Sequence, residues 1–305
     1  MSSQIAEPSP PKFICQLADL NLISDDTKEV HWPRTRDTDI PVFRDRRSGV
    51  IFLSRQPNLD LHYAEKVIGK KIEAEVQTSS GILKLKRNED LERRLSQTSS
   101  LVEGMRVCDF GTGQGLYLDA IQSAAKQVCG IEIRADLAEL IRNRLGSNAE
   151  VASAISSTSG NFDLVTLFHV LEHIPDQLGV LKDIHTALSP GGKVFVEVPH
   201  ARDFLSHEMA LPEYRDFIYW SEHLVLHTQE SLSAFLKAAG FGNIRIEPFQ
   251  RYGFANHLYW LNEKKPGGHD LYKHMSSPNL DSAYAAQLSA MDRTDTLIAI
   301  AEKNG

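Results

Sequence analysis

The chain has 305 residues, of which 42% are hydrophobic and 24% charged; these globular averages argue against disorder and allow one α/β domain with additions at each end. The formal net charge of -7 leaves no basic footprint for a nucleic-acid partner. No run of about 18 or more apolar residues marks a membrane span, and MSSQIAEPSPPKF lacks the charged start and apolar middle of an export signal, so a cytoplasmic protein is expected.

In chain order, residues 1 to about 60 begin with a Pro/Ser-rich tail and show little helical periodicity. Pro41–Arg44 and Gly49–Leu53 read as short strands of a small N-terminal module. Residues 61–100 are charged and helix-favouring, in LHYAEKVIGKKIEAEV and NEDLERRLSQTSSLV, with Leu91, Leu95 and Leu101 at helical spacing. This stretch either packs one apolar stripe on the core or covers a substrate as a lid.

The third region, 101–305, carries the chemistry. Val107-Cys108-Asp109-Phe110 is an apolar strand ending in an acid, followed by Gly111-Thr112-Gly113-Gln114-Gly115 and the helical LYLDAIQSAAK. Glycine at every second position opens the backbone where a ligand must approach it, and the unpaired N–H groups of the following helix suit an anionic or polar group. Val128–Ile133 is a second strand, and Glu132 stands at the spacing where nucleoside sites place a carboxylate on ribose hydroxyls. Phe162–Phe168 is a third clear strand, running into His169-Val170-Leu171-Glu172-His173. A helix, VLKDIHTALSP, then turns at Pro190-Gly191-Gly192 into Lys193–Pro199.

Beyond that strand lies Tyr219-Trp220-Ser221-Glu222-His223, and Thr228-Gln229-Glu230-Ser231 caps the start of a helix that Gly240 ends. Strands are expected at Asn243–Glu247 and Thr296–Ala301, around an insertion at about 251–292 rich in Tyr252, Asn256, His257, Tyr259, Trp260 and His269. These side chains suit either stacking on sugar rings or packing on the sheet edge. Cys15, Cys108 and Cys129 make no disulfide framework and read as reduced thiols.

The acid-x-Gly-x-Gly-x-Gly loop, the ribose acid, the FDLV...HVLEHIPD block and the Leu-x-Pro-Gly-Gly turn occur in order over roughly residues 100–250 and resemble the class I S-adenosylmethionine (SAM)-dependent methyltransferases. The resemblance implies a doubly wound, seven-stranded, mostly parallel Rossmann-like sheet, SAM as donor and S-adenosylhomocysteine as product. The cofactor residues it implies are Asp109 on the methionine ammonium, Gly111, Thr112, Gly113 and Gly115 in the loop, Glu132 and Ile133 at the ribose, Ala154 and Ile155 at adenine, and Phe168 and His169. The acid usually found on the adenine amino group is missing from Val151–Ser157, leaving backbone groups or Ser153 and Ser156 for that role.

Trp220-x-Glu222-His223 resembles the aromatic-x-Glu-His element of deoxysugar C-methyltransferases, in which the histidine acts as base. Catalytic candidates are therefore His223, Glu222 and His173, the last either reaching substrate or serving as a loop residue. The N-terminal region is similar to a zinc-ribbon module, but Asp45 and Ser48 stand where thiolates would be, so no metal is expected. The implied function is methyl transfer to a hydroxyl or carbon of a sugar-containing small molecule, nucleotide-linked and in surface polysaccharide synthesis. The alternatives are O-methylation of a lipid, quinone or natural product, or SAM binding without turnover.

Overall fold

The computed structural model describes residues 10–57, 89–146 and 149–304. Its elements in chain order are α1 (Lys12–Asp19), β1 (Lys28–Trp32), β2 (Val42–Asp45), β3 (Ile51–Leu53), α2 (Glu89–Val102), β4 (Arg106–Phe110), α3 (Leu116–Ile121), β5 (Gln127–Ile131), α4 (Ala135–Leu145), β6 (Ala149–Ala152) and β7 (Phe162–Phe168). There follow α5 (Gln177–Ala187), β8 (Leu188–Pro199), α6 (Pro212–Ile218), β9 (Val225–Leu226), α7 (Gln229–Ala238), β10 (Phe241–Phe249), α8 (Phe254–Glu263), α9 (Gly268–Leu271), α10 (Pro278–Ala290) and β11 (Thr296–Lys303). The predicted helix over LHYAEKVIGKKIEAEV lies outside the described residues.

The strands form a seven-stranded sheet of order β10-β11-β8-β7-β4-β5-β6, with β4 pairing in parallel with both β5 and β7, and β5 with β6. This is the mostly parallel Rossmann-like sheet that the motifs imply. Strands covered on both faces must be apolar throughout. Val107, Cys108, Val128, Cys129, Leu164, Val165 and Leu167 are accordingly at most 2% exposed. Cys108 and Cys129 sit opposite one another across β4 and β5 as buried free thiols.

Chain contacts group Met1–Pro57, His169–Lys182 and Val196–Ala301 into one unit, and Asn58–Phe168, Asp183–Phe195 and Glu302–Gly305 into another. The first unit holds an antiparallel sheet, β1-β2-β3-β9. Its last strand, Val225–Leu226, covers the open edge of β3. The N-terminal stretch thus shares its sheet with a later segment, where the sequence alone marks a separate module over 1–60. An eight-residue helix, α1, also forms where the Pro/Ser-rich opening suggests none; it buries Phe13, Gln16 and Leu17.

Where the zinc-ribbon resemblance has thiolates, buried Asp45 closes the turn instead. Its carboxylate accepts the backbone N–H of Arg47 (2.9 Å) and of Ser48 (2.8 Å), as well as the Thr27 hydroxyl. A carboxylate that takes successive backbone donors holds such a turn without a metal.

The insertion is helical, and the stacking surface read into it is mostly core. Asn256, His257, Tyr259 and Trp260 are between 2 and 6% exposed. Trp260 meets Tyr214 edge-on at 4.9 Å, and His257 Nδ1 lies 2.8 Å from the Tyr284 hydroxyl. Rings on one face of α8 gain more by burial than by waiting for a ligand. Among the described residues, no helix is long and apolar enough to cross a membrane.

Candidate active site

The glycine-rich turn is built by backbone geometry. After β4, Gly111, Gly113 and Gly115 all adopt positive φ, at 74°, 56° and 70°. At Gly113 an added Cβ would meet no protein atom within 4 Å, so the space beside it is open. At Gly115 it would meet Arg144 Nη2 at 2.8 Å and Ile141 Cγ1 at 3.0 Å, so that glycine serves helix packing. Helix α3 begins at Leu116, directly behind the turn, and turns its unpaired N–H groups toward it.

Two carboxylates frame this turn. Asp109, 4% exposed, accepts a 2.7 Å hydrogen bond from the Thr166 hydroxyl. Burial pushes its pKa up to about 6, against the opposing pull of that hydroxyl and of the Arg94 charge. Glu132, at the end of β5, accepts the Gly113 N–H through Oε2 and the Arg134 N–H through Oε1, both at 2.9 Å. Its side chain is thereby pinned across the loop. Burial raises its pKa, partly offset by these two bonds.

A cavity of about 300 Å³ lies over the turn, lined by Leu91, Arg94, Asp109, Gly111, Thr112, Gln114, Leu116, Tyr117 and Phe168, at the small end of ligand sites. Asp109, Gly111, Thr112 and Phe168 are thus brought together as the sequence suggests. Ile133 is 68% exposed, Ala154 is exposed, and Ile155 is buried at 3% in a short turn after β6; none of the three lines this cavity.

Arg94 and Leu91 are additions that the sequence reading missed. They project from α2, which is tied to α3 by the Tyr117 hydroxyl donating to Thr98 (2.8 Å), and the Arg94 guanidinium sits 4.7 Å from the Phe168 ring centroid. The Leu91 spacing marks a helix face, but nothing local shows what that face covers. A larger cavity, about 780 Å³ beside Ile14, Phe43 and Phe52, contains none of the predicted site residues.

His169, expected at the cofactor, does not line this cavity, and it forms a second cluster with the acceptor candidates His173 and His223. His169 adopts φ 57°, and its N–H donates to the Glu197 carbonyl at 2.8 Å. Its ring bridges two fully buried carboxylates, Nδ1 lying 3.2 Å from Glu172 Oε1 and Nε2 lying 2.8 Å from Glu197 Oε1. Burial works against protonation of His169, but the two carboxylates outweigh it and raise its pKa. Burial likewise opposes ionisation of Glu172, yet His169 and the neighbouring imidazoles hold its pKa down, at about 2. The two carboxylates thus favour the protonated form of His169.

His173 packs edge-on against His223, with ring centroids 5.0 Å apart, and its Nδ1 lies 2.9 Å from the Glu222 carbonyl. The Trp220 indole N–H donates to His223 Nε2 at 3.1 Å. Burial, only partly countered by Glu172, lowers the His223 pKa to about 3, so the ring is neutral and the lone pair on Nε2 is already engaged.

The turn fits SAM on these observations: a cradle with open space at Gly113, a buried carboxylate at Asp109 for an ammonium, and Glu132 placed for vicinal hydroxyls. The ubiquinone biosynthesis O-methyltransferase of Xanthomonas axonopodis pv. citri is 33% identical over 113 residues, 34% of this chain and 47% of that protein. Its counterpart in Xanthomonas campestris pv. campestris is 34% identical over 101 residues, 30% of this chain and 42% of the relative. The chain spans about half the length of the curated relatives it matches. A solved SAM-dependent methyltransferase from Archaeoglobus fulgidus superposes with a TM-score of 0.49 at 18% identity, over 70% of this chain and 94% of that one. The model of the methyltransferase domain matches residues 83–246, more than half of the sequence, and the chain belongs to that family.

Proposed function

We propose that the chain is a SAM-dependent methyltransferase that methylates a hydroxyl of a small-molecule acceptor. The observation that carries this reading is the glycine turn, where the space beside Gly113 is open and Asp109 and Glu132 flank the loop. Asp109 binds the ammonium, the N–H groups at the start of α3 take the carboxylate, Glu132 takes the ribose hydroxyls, and Arg94 with Phe168 closes the cavity wall. When bound, SAM supplies an electrophilic methyl on a sulfonium. The protein's part is to position the acceptor and to accept a proton from it.

The acceptor side is assigned to His173, Glu222 and His223, as the resemblance to deoxysugar enzymes implies. Oxygen rather than carbon is favoured by relatives named as O-methyltransferases. A sugar-containing acceptor rests on the Trp220-Ser221-Glu222-His223 element alone, since the aromatic insertion is largely core. Incubation with methyl-labelled SAM and two acceptor pools, nucleoside diphosphate sugars and phenols with vicinal hydroxyls, followed by mass spectrometry, tests the reading. A labelled methyl ether in either pool supports it and identifies the acceptor class. Failure to bind SAM by calorimetry would overturn it.

A further inference from the structure

We infer that His31, Arg44, His207 and Arg215 form a binding site for the phosphoryl group of a phosphorylated small molecule. His31 comes from β1, Arg44 from β2, Arg215 from α6, and His207 from a single π-helical turn, Phe204–Glu208. Such wide turns recur at functional sites. Alternation along β2 puts Arg44 on the face of buried Val42, opposite the face of Phe43 and of Asp45, which closes the following turn. All four residues are half-buried, which holds them in place while leaving them open to a solute.

Three features point to an anion. Arg44 Nε is buried with no hydrogen-bond partner, although an orphaned donor is costly. The carboxylates around the group are engaged elsewhere: Glu29, opposite Arg44 in the β1–β2 register, reaches Arg46 at 4.0 Å, Asp216 accepts the Trp32 indole N–H at 2.9 Å, and Glu208 accepts Arg293 at 2.9 Å. Second, the positive groups crowd one another. Burial, then the charges of Arg215, Arg44 and His207, lowers the His31 pKa to about 3. Burial, then Arg44 and Arg293, lowers that of His207 to about 4 against the pull of Glu208. A bound anion relieves this repulsion. Third, the donors are preset. Arg215 Nε donates to the Ser206 carbonyl at 2.8 Å, its guanidinium lies 5.5 Å from the Trp32 ring centroid, and the Tyr219 hydroxyl stands 2.9 Å from His31 Nε2.

Phosphate chemistry fits this set better than a carboxylate does. Each guanidinium is a planar fork that meets two oxygens at once, and a phosphoryl group offers three oxygens with a charge of about −1.5 to −2 near neutral pH. Two arginines balance that charge, whereas one carboxylate balances only one of them. SAM carries no phosphate, so the ligand is not the methyl donor. Tyr219, whose hydroxyl meets His31, directly precedes the Trp220-Ser221-Glu222-His223 element in the chain. A phosphate held here therefore anchors the acceptor, a role that rests on the methyl-transfer reading although the site itself does not.

The test titrates the full chain by calorimetry with phenyl phosphate, inorganic phosphate and acetate, and reads the melting temperature alongside. The expected result is one site per chain for phenyl phosphate with Kd below about 1 mM, a higher melting temperature at saturation, and acetate at least about tenfold weaker. Arg44→Gln and Arg215→Gln should each weaken phenyl phosphate binding at least about tenfold. Arg44→Lys, which keeps the charge but not the Nε–H, should recover part of the loss, and Arg245→Gln, at an exposed position, leaves binding unchanged. Without phosphate, Arg44→Gln should melt no lower than the wild type, because it breaks no ion pair. A variant that melts lower yet binds phenyl phosphate as before makes Arg44 structural and overturns the site, as does absence of binding or equal affinity for acetate. Binding of inorganic phosphate with exclusion of the ester overturns the phosphorylated ligand. SAM titration of the same samples reports separately on the cradle and on folding of the variants. A protein that binds SAM but no phosphate loses only this inference, and one that binds phosphate but no SAM loses the methyltransferase reading.

Discussion

The glycine cradle and the histidine–glutamate cluster solve opposite problems. The cradle is made of main chain: its specificity lies in what is missing at Gly113 and in N–H groups that any residue could supply. Two carboxylates merely frame it. The cluster is made of side chains, with His169 held between Glu172 and Glu197 and with His173 and His223 packed edge-on beside them. A site made by backbone is disabled by adding atoms, whereas one made by side chains is disabled by removing a charge. The two therefore fail in different assays.

The largest expected effect tests the cradle. Gly113→Val fills space that no protein atom occupies and forces a β-branched residue to φ 56°. SAM affinity should fall below detection in calorimetry, and an unchanged affinity would remove this turn from the site.

Next comes the charge inside the cluster. His169→Ala leaves two buried carboxylates without their shared cation and should lower the unfolding free energy by about 3 kcal/mol, read from the urea midpoint. The pH dependence has a definite sign. The folded-state pKa of His169 is raised above 6.5, so its stabilisation is complete below that value and fades as pH rises through the higher folded value. A His169→Gln protein should lose this component of the alkaline decline, and identical pH profiles for the two proteins would count against the bridge.

A smaller effect returns to the cradle through Asp109. With its carboxyl near 6, acidification converts the ammonium acceptor into a neutral acid. SAM affinity should be level above about pH 7 and fall roughly tenfold per unit well below 6, a loss of about 1.4 kcal/mol per unit. Asp109→Asn should bind weakly at every pH. A wild-type affinity independent of pH between 5 and 7.5 would separate Asp109 from the ammonium.

The contrast also explains what could be read in advance. Strand β4, the turn and α3 were legible because their signals are local: apolar run, acid, alternating glycines, helix. Glu132 followed from a fixed spacing. Arg94 was not, since a helical stripe gives no direction for the polar residue next to it. The aromatic residues of α8 misled for a related reason, because composition does not distinguish a ring facing a ligand from one facing Tyr214. The His169 bridge spans a pairing between residues 169 and 197, beyond any local pattern. It did leave one trace: Glu197 interrupts the otherwise apolar Val194-Phe195-Val196-Glu197-Val198, and a carboxylate inside a covered strand demands a partner.

The smallest effect concerns a residue whose role was legible and that belongs to neither site. Thr228 caps α7: its hydroxyl accepts the Ser231 N–H at 3.3 Å, and the Ser231 hydroxyl accepts the Thr228 N–H at 2.9 Å. The Thr228 hydroxyl also donates to the Ser48 carbonyl at 3.2 Å, tying the helix start to the turn that Asp45 closes. Thr228→Ala removes the cap acceptor and leaves that carbonyl without this donor, at a cost of about 1–2 kcal/mol. The melting temperature should drop by several degrees while SAM affinity stays within about twofold, because the cradle residues lie on other elements. A Thr228→Ser protein, which keeps the hydroxyl, should recover most of the loss. Should the serine variant melt with the alanine one, the stabilisation comes from packing of the buried methyl group and not from the cap.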